Sequence, residues 1–196
     1  WDVVSATKKR SLHASAGGVN SVSVRTDDCQ IAVVSGDSIQ IWEANSFKNK
    51  IEIESGDVLN SVVFGHSGKL VYTRNVLNCI QVWDLATRQC LKSVKGGSVS
   101  RFADLPNRGM IQFYSLELSP DDAWIVHGNW DDTIRIWNPD SNQSLVFFLR
   151  GVSTYKVHWG SRSLACGYFD GRVEFFEFDN LVLGAFLTTP VRQLTP

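Results

Sequence analysis

Four stretches of this chain are built on one plan, and that plan leaves few folds open. They are "DSIQIWEAN" (37–45), "NCIQVWDLA" (78–86), "DDTIRIWNP" (131–139) and "DGRVEFFEF" (170–178). In each, a turn precedes an apolar–polar–apolar triplet, then an aromatic residue, then Glu, Asp or Asn. The chain itself opens on "WD", the end of a fifth copy. The aromatic anchors are Trp1, Trp42, Trp83, Trp137 and Phe176, spaced 41, 41, 54 and 39 residues apart. Three of the four spacings fit one unit of about 40 residues, and a period of that size is the mark of a repeat architecture.

Upstream of each anchor lies a second recurring segment: "VNSVSVRTDD" (19–28), "LNSVVFGHSG" (59–68), "FYSLELSPDD" (113–122) and, more weakly, "TYKVHWGSRS" (154–163). Alternation closed by Asp, Gly, Ser and Pro marks a strand that ends in a tight turn. Between the two segments stands a short apolar run ("IAVVS", "LVYTR", "WIVHG", "LACGY"). After the anchor comes another ("KIEIE", "CLKSV", "SLVFFLR", "LVLGAFL"). Each unit therefore reads as four short strands. No segment sustains apolar residues at i, i+3, i+4 and i+7, so helix is expected to be minimal.

With its period, "VWDLAT" and "LSPDDAWIVHGNWDDTIRIWNPD", the chain resembles the WD-repeat family of β-propellers. The resemblance implies an all-β fold, a β-propeller of four-stranded antiparallel blades. It departs from the family in two places. The Gly-His dipeptide that opens each unit is missing. The Ser/Thr of the second strand survives as Ser35 and Thr73 but becomes His127 and Cys166. The family's hydrogen-bonded set of His, Ser/Thr, Asp and Trp is therefore expected to be incomplete in every unit.

The units divide the chain into the end of a preceding blade (1–12), blade one (13–54), blade two (55–95), blade three (96–150, with an insertion at about 96–112), blade four (151–188) and a C-terminal tail (189–196). A propeller must close to protect its strand edges and bury its blade faces. The expectation is that 1–196 belongs to a larger ring; the alternative is that four blades close alone. The end, "LGAFLTTPVRQLTP" (183–196), resembles tails that follow the WD-repeat sensor of STAND/NACHT-type signalling NTPases. That resemblance implies a sensor or regulatory role, with a nucleotide module upstream in the same polypeptide. Within the chain there is no Gly-rich phosphate loop followed by Lys-Ser/Thr, hence no residue-level reason to expect nucleotide hydrolysis.

Charge narrows the partners. The net charge is −1 with both signs interspersed, and Lys8-Lys9-Arg10 is the one basic run. Nucleic-acid binding needs clustered cations to displace phosphate counterions, so none is expected. No apolar run reaches the length of a membrane span, so no membrane insertion is expected. The four cysteines, Cys29, Cys79, Cys90 and Cys166, lack metal-ligand or CxxC spacing. They read as reduced and mostly buried. That points to an intracellular protein, in the cytoplasm with the nucleus left open.

A catalytic constellation is not found. His127 sits on a second strand near Asp131 and Trp137. It reads as the replacement for Ser/Thr that hydrogen-bonds Asp131 more readily than as a general base, since no nucleophile stands near it in sequence. His66, in "GHSGK", is expected to be solvated, and His158 to face away from Val157 and Trp159. The acid pairs Asp27-Asp28, Asp121-Asp122 and Asp131-Asp132 fall at turns, where Asp is favoured for conformational reasons. The first residues of the inner strands, Val19, Leu59, Phe113 and Thr154, are uncharged, unlike the channel acids expected of a metal-dependent propeller enzyme. The expectation is a non-enzymatic scaffold with no cofactor and no metal, binding other proteins or peptides.

Trp42, Trp83, Trp137 and Phe176 are anchors of the repeat and are assigned, with Trp124 and Trp159, to the core. Trp130 is not required by the repeat. It occupies the turn between the second and third strands of blade three, and blade four has Tyr168 and Phe169 in the matching turn. The insertion, with Arg101, Phe102 and Arg108, joins the fourth strand of one blade to the first of the next. In a propeller such loops leave on the same face as those turns. Aromatics and Arg are enriched at interface hot spots. Arg101, Phe102, Arg108, Trp130, Tyr168 and Phe169 thus form a candidate partner-binding patch; the alternative is that the insertion folds over the aromatics and buries them.

Overall fold

The computed structural model describes residues 7, 11–14, 18–96, 115–128, 133–148, 154–159, 163–168 and 171–177. These residues form fifteen strands in four antiparallel sheets, with no helix among them. The first sheet is β1 (Val19–Val24), β2 (Gln30–Ser35), β3 (Ser38–Glu43) and β4 (Asn49–Glu54) in that order. The second is β5 (Leu59–Phe64), β6 (Leu70–Asn75), β7 (Cys79–Asp84) and β8 (Gln89–Lys95). The third is β9 (Leu116–Leu118), β10 (Ile125–Gly128), β11 (Thr133–Trp137) and β12 (Ser144–Phe148). The fourth contains β13 (Thr154–Trp159), β14 (Ser163–Tyr168) and β15 (Val173–Glu177). Every sheet is an up-and-down meander, so each is a propeller blade.

The blades follow one another through their first strands: β1 packs on β5, β5 on β9, and β9 and β10 on β13. The first strands of blades one and two are joined by hydrogen bonds as well as by packing. Asn20 Nδ2 donates to the carbonyl of Leu59 at 2.6 Å. The hydroxyls of Ser21 and Ser23 accept from the amides of Val62 and Phe64 at 3.2 and 3.0 Å. Amides on an inner edge have no strand partner, so serines from the preceding blade take the place of a ladder.

The repeat extends to backbone detail. β1, β5 and β13 each carry an irregularity one residue after their start, leaving Asn20, Asn60 and Tyr155 out of register. A bulge there bends the first strand. Asp28, Gly68 and Asp122, in the three turns that follow the first strands of blades one to three, all have positive φ. The acid pairs Asp27-Asp28 and Asp121-Asp122 are therefore turn residues, as their sequence context indicates. Asp27 Oδ1 accepts from the Cys29 amide at 3.0 Å and Asp121 Oδ1 from the Ala123 amide at 3.1 Å. The Arg25 guanidinium, hydrogen-bonded to Asp27, holds that carboxyl down at about 2. Asp131 and Asp132 lie outside the described residues.

Three apolar clusters fill the spaces between successive blades. Between blades one and two, Ala32, Val34, Ile39, Ile41 and Ile53 meet Leu59, Val62, Phe64 and Trp83. Trp83, Trp137 and Phe176 are buried as expected of repeat anchors. Trp42 is only half-buried, because it lies on the face of blade one turned away from blade two. Trp124 is buried; the side chain of Trp159 lies outside the described residues. One expectation needs correction. Cys29 and Cys90 are exposed and Cys79 is half-buried, leaving only Cys166 buried. Cys29 stands in a turn, and Cys90 is on β8, an outermost strand with little against it. His66 is exposed, as expected, and its Nδ1 lies 2.5 Å from Asp122 Oδ1, joining the first turns of blades two and three.

The hydrogen-bonded set that the resemblance implies is met in part in blade two, while the anchors and serines of blades one and three find other partners. In blade two the indole Nε1 of Trp83 donates to Thr73 Oγ1 at 2.9 Å, and that hydroxyl donates to Gln81 Oε1 at 3.5 Å. In blade one the Ser35 hydroxyl donates to the Gly18 carbonyl at 3.1 Å. In blade three Trp137 Nε1 donates to Asn142 Oδ1 at 3.2 Å. Removing the acceptor from Trp83 without changing shape should show what the pair contributes. Thr73→Val is expected to lower stability by about 1–3 kcal/mol, the cost of a buried donor left unmade. Chemical denaturation of the two proteins, with the denaturant slope unchanged, checks it.

Candidate binding face

One end of the blades is knitted by hydrogen bonds between two kinds of loop: the turns between second and third strands, and the connectors from one blade to the next. The Ser55 amide donates to the Asp37 carbonyl and the Leu59 amide to the Gly36 carbonyl, at 2.9 and 2.7 Å. The Val76 amide donates to the Val58 carbonyl at 2.9 Å, and the Gly96 amide to the Asn78 carbonyl at 2.6 Å. The two loop types thus emerge on one face, as the propeller reading of the sequence requires.

Beneath this face lies a buried polar network at the junction of blades two and three. Asn78 takes a positive φ of 62°, which Asn tolerates better than most residues. Its side-chain oxygen accepts from Arg74 Nε at 2.8 Å. Arg74 is fully buried, and its Nη1 reaches across to the Gly128 carbonyl of blade three, again at 2.8 Å. Asn75 accepts from the Cys79 amide at 2.8 Å and donates to Asp57 Oδ2 at 3.0 Å. His127, also buried, is part of the same packing: a Cβ added at Gly96 would lie 2.9 Å from its Cε1. His127 is on the second strand, as its position in the repeat predicts; its proposed partner Asp131 lies outside the described residues.

Arg74 was not singled out by sequence reasoning. It lies on β6, where every residue from Val71 to Asn75 is buried. The planar guanidinium suits the task because it can serve two acceptors at fixed angles. The turn it braces presents Leu77 at its tip, exposed, with Val58 exposed beside it on the bonded connector. These two apolar side chains lie on the face on which the sequence places its candidate patch. A search for aromatics passes over them.

Of the candidate patch, Arg101, Phe102, Arg108, Trp130 and Phe169 lie outside the described residues. Tyr168 ends β14, opposite Thr154, and its side chain is not described. The tail 189–196 is also outside. Among the described residues no group of three or more His, Cys, Asp or Glu is placed to hold a metal ion, and no helix is long and apolar enough to cross a membrane. The Cys166 thiol is pushed up to about 12 by burial, so it stays protonated and unreactive.

Comparison with known proteins agrees with this architecture. The family model described as "WD domain, G-beta repeat" matches residues 108–138. The chain is 24% identical to the cross-pathway control WD-repeat protein 2 of Flammulina velutipes, over 72% of this chain and 44% of that protein. It is 28% identical to the small ribosomal subunit protein RACK1 of Drosophila melanogaster, over 70% of this chain and 42% of that one. A guanine nucleotide-binding protein subunit beta of Schizosaccharomyces pombe is 31% identical over 43% of this chain and 23% of its own length. The chain thus spans less than half the length of these relatives. Among solved structures, the computationally designed Ika4 protein superposes with a TM-score of 0.65 at 17% identity, over 86% of this chain and 96% of that one. That likeness concerns the fold.

The network under the face has a sharp steric test. A methyl group at Gly96 would lie 2.8 Å from the Asn78 carbonyl and 2.9 Å from both Asn78 Oδ1 and His127 Cε1. Gly96→Ala is expected to destabilise by roughly 1–3 kcal/mol, the usual cost of overpacking. Arg74→Leu, which leaves two acceptors without their donor, is expected to cost about 2–4 kcal/mol. Thermal and urea unfolding of both variants measure these losses.

Proposed function

We propose that this chain is a non-catalytic WD-repeat interaction module that binds other proteins or peptides on the loop face carrying Leu77 and Val58. The observation that carries the reading is the exposed apolar tip of the turn after β6, held by a buried polar network rather than free to collapse. A rigid apolar anchor loses little conformational freedom on binding, which favours affinity. The reading includes the sequence-derived patch of Arg101, Phe102, Arg108, Trp130, Tyr168 and Phe169, contributed by blades three and four and the insertion at about 96–112. It also adopts the blade divisions 13–54, 55–95, 96–150 and 151–188. Support comes from the WD-repeat match and from relatives named as parts of assemblies, a small ribosomal subunit and a guanine nucleotide-binding protein. Four free cysteines agree with an intracellular setting.

Leu77→Asp and the double change Trp130→Ala/Phe169→Ala separate a binding face from a buried one. For a binding face, partners recovered with the unmodified chain are lost while melting is unchanged for Leu77→Asp. A hot-spot truncation of this kind weakens binding by at least about 2 kcal/mol. If the double change lowers the melting temperature and leaves binding intact, the insertion covers the aromatics and the patch is not the site.

A further inference from the structure

The face that presents Leu77 and Val58 also carries negative charge that no described cation neutralises. Leu77 and Val58 are 55% and 48% exposed, and the bond from the Val76 amide to the Val58 carbonyl sets their loops side by side. Two aspartates stand on the adjoining loops. The Leu59 amide donates to the Gly36 carbonyl, which brings Asp37 beside the connector that holds Val58. The Ser55 hydroxyl lies 2.7 Å from the carbonyls of both Asp37 and Asp57, so one side chain links the two acidic residues through their backbones. Asn75 Nδ2 donates to Asp57 Oδ2 at 3.0 Å and fixes that carboxylate in place. The donor is a neutral amide, so the carboxylate keeps its charge. Among the described residues, neither Asp37 nor Asp57 forms an ion pair.

The opposite end of the blades is arranged differently. There four acids have cations of their own: Asp27 lies against Arg25, Glu43 against Lys50, Asp122 against His66 and Asp140 against Lys92. Asp84 and Asp121 accept instead from turn amides, those of Thr87 and Ala123. At the candidate face the described cations are Arg74 and Lys95. Arg74 is buried and already bonded to Asn78 and Gly128. Lys95 ends β8, the outermost strand of blade two, and pairs with neither aspartate. The exposed apolar pair is therefore flanked by carboxylates whose countercharge must come from outside the described chain.

We infer that this face accepts a peptide segment with an apolar side chain next to a lysine or arginine. The apolar group covers Leu77 and Val58, and the cation is neutralised by Asp37 and Asp57. The inference rests on the reading of this face as a binding surface and names the chemistry of its occupant. Charge of one sign beside an apolar anchor steers a complementary cation and turns away anionic partners. An acidic peptide or a nucleic acid would bring like charge to two uncompensated carboxylates. Arginine suits the place best, because its planar fork can serve two acceptors while its aliphatic stem lies along apolar surface.

Selection of a displayed library of random short peptides on the full chain tests it. Each recovered peptide is then measured against Leu77→Ser, which removes the apolar anchor without adding charge, and against Asp37→Asn and Asp57→Asn. The asparagine at 57 still accepts from Asn75, and Leu77 and Asp37 are exposed, so melting should be unchanged in all three. Peptides that lose at least about tenfold in affinity with Leu77→Ser, the size of a hot-spot loss, are expected to carry an apolar residue beside Lys or Arg. Each aspartate change should weaken them by about threefold, the worth of an exposed ion pair, and added salt should weaken them further. Leu77-dependent peptides that lack Lys and Arg, or that are indifferent to both aspartate changes, overturn the inference and leave the face standing as a binding surface. A library that yields no peptide dependent on Leu77 overturns the reading of the face itself.

Discussion

Everything in this structure depends on one contact, the apolar seam between the front of one blade and the back of the next. A four-stranded meander cannot bury two faces by itself. Each blade here turns alternate residues of its strands to opposite sides: in blade two, Val62, Phe64, Val71 and Trp83 meet blade one, while Tyr72, Ile80 and Val82 meet blade three. Ile39 and Ile41 of blade one disappear from solvent only because Val62 and Phe64 of blade two are there. Burial of each such side chain is worth roughly 1.5–3 kcal/mol, more than the roughly 0.5–1.5 kcal/mol of a neutral hydrogen bond such as those from Ser21 and Ser23. The serine hydroxyls that cap the amides of β5 set register and spacing; the seam supplies the driving force.

The seam also decides which parts of the fold could be read from the sequence. Alternation and the 40-residue period depend on local pattern, so the strands begin at Val19, Leu59 and Thr154 as read, and the turns carry the acids and glycines that positive φ demands. Burial of an anchor is not local. Trp42 and Trp83 sit in near-identical sequence, "IQIWE" and "IQVWD", yet one is half-buried and the other buried. The difference is the preceding blade: blade one covers Trp83. The cysteines went astray for a similar reason: residue type favours burial, but Cys90 lies on the outermost strand, where no neighbour covers it.

The candidate face was legible in topology and not in detail. That connectors and second turns share one end follows from an up-and-down meander, and the hydrogen bonds joining Gly36, Asp37, Ser55, Val58 and Val76 agree. Arg74 was illegible because period-two alternation assigns a side chain to a side of the sheet without saying what stands opposite. Here the opposite side holds a backbone carbonyl of the next blade, and the side of β6 that carries Tyr72 and Arg74 is buried against that blade. Leu77 was passed over because a turn residue without an aromatic ring carries no compositional signal.

Seam and face make different demands, and they are met by different residues. The seam wants large, interchangeable aliphatics, because shape and area are what it uses. The face wants fixed geometry, so its loops are braced by Asn75, Asn78 and Arg74, whose bonds are directional and reach both backbone and side-chain partners. A polar network buried at a blade junction adds little net stability. What it does add is a defined position for the turn above it: Asn78 is tied to Arg74 within its own blade, and Arg74 to Gly128 in the next. The loops on this face are therefore fixed relative to one another by the same residues that join the blades beneath, and Leu77 is held out from a base that spans two of them.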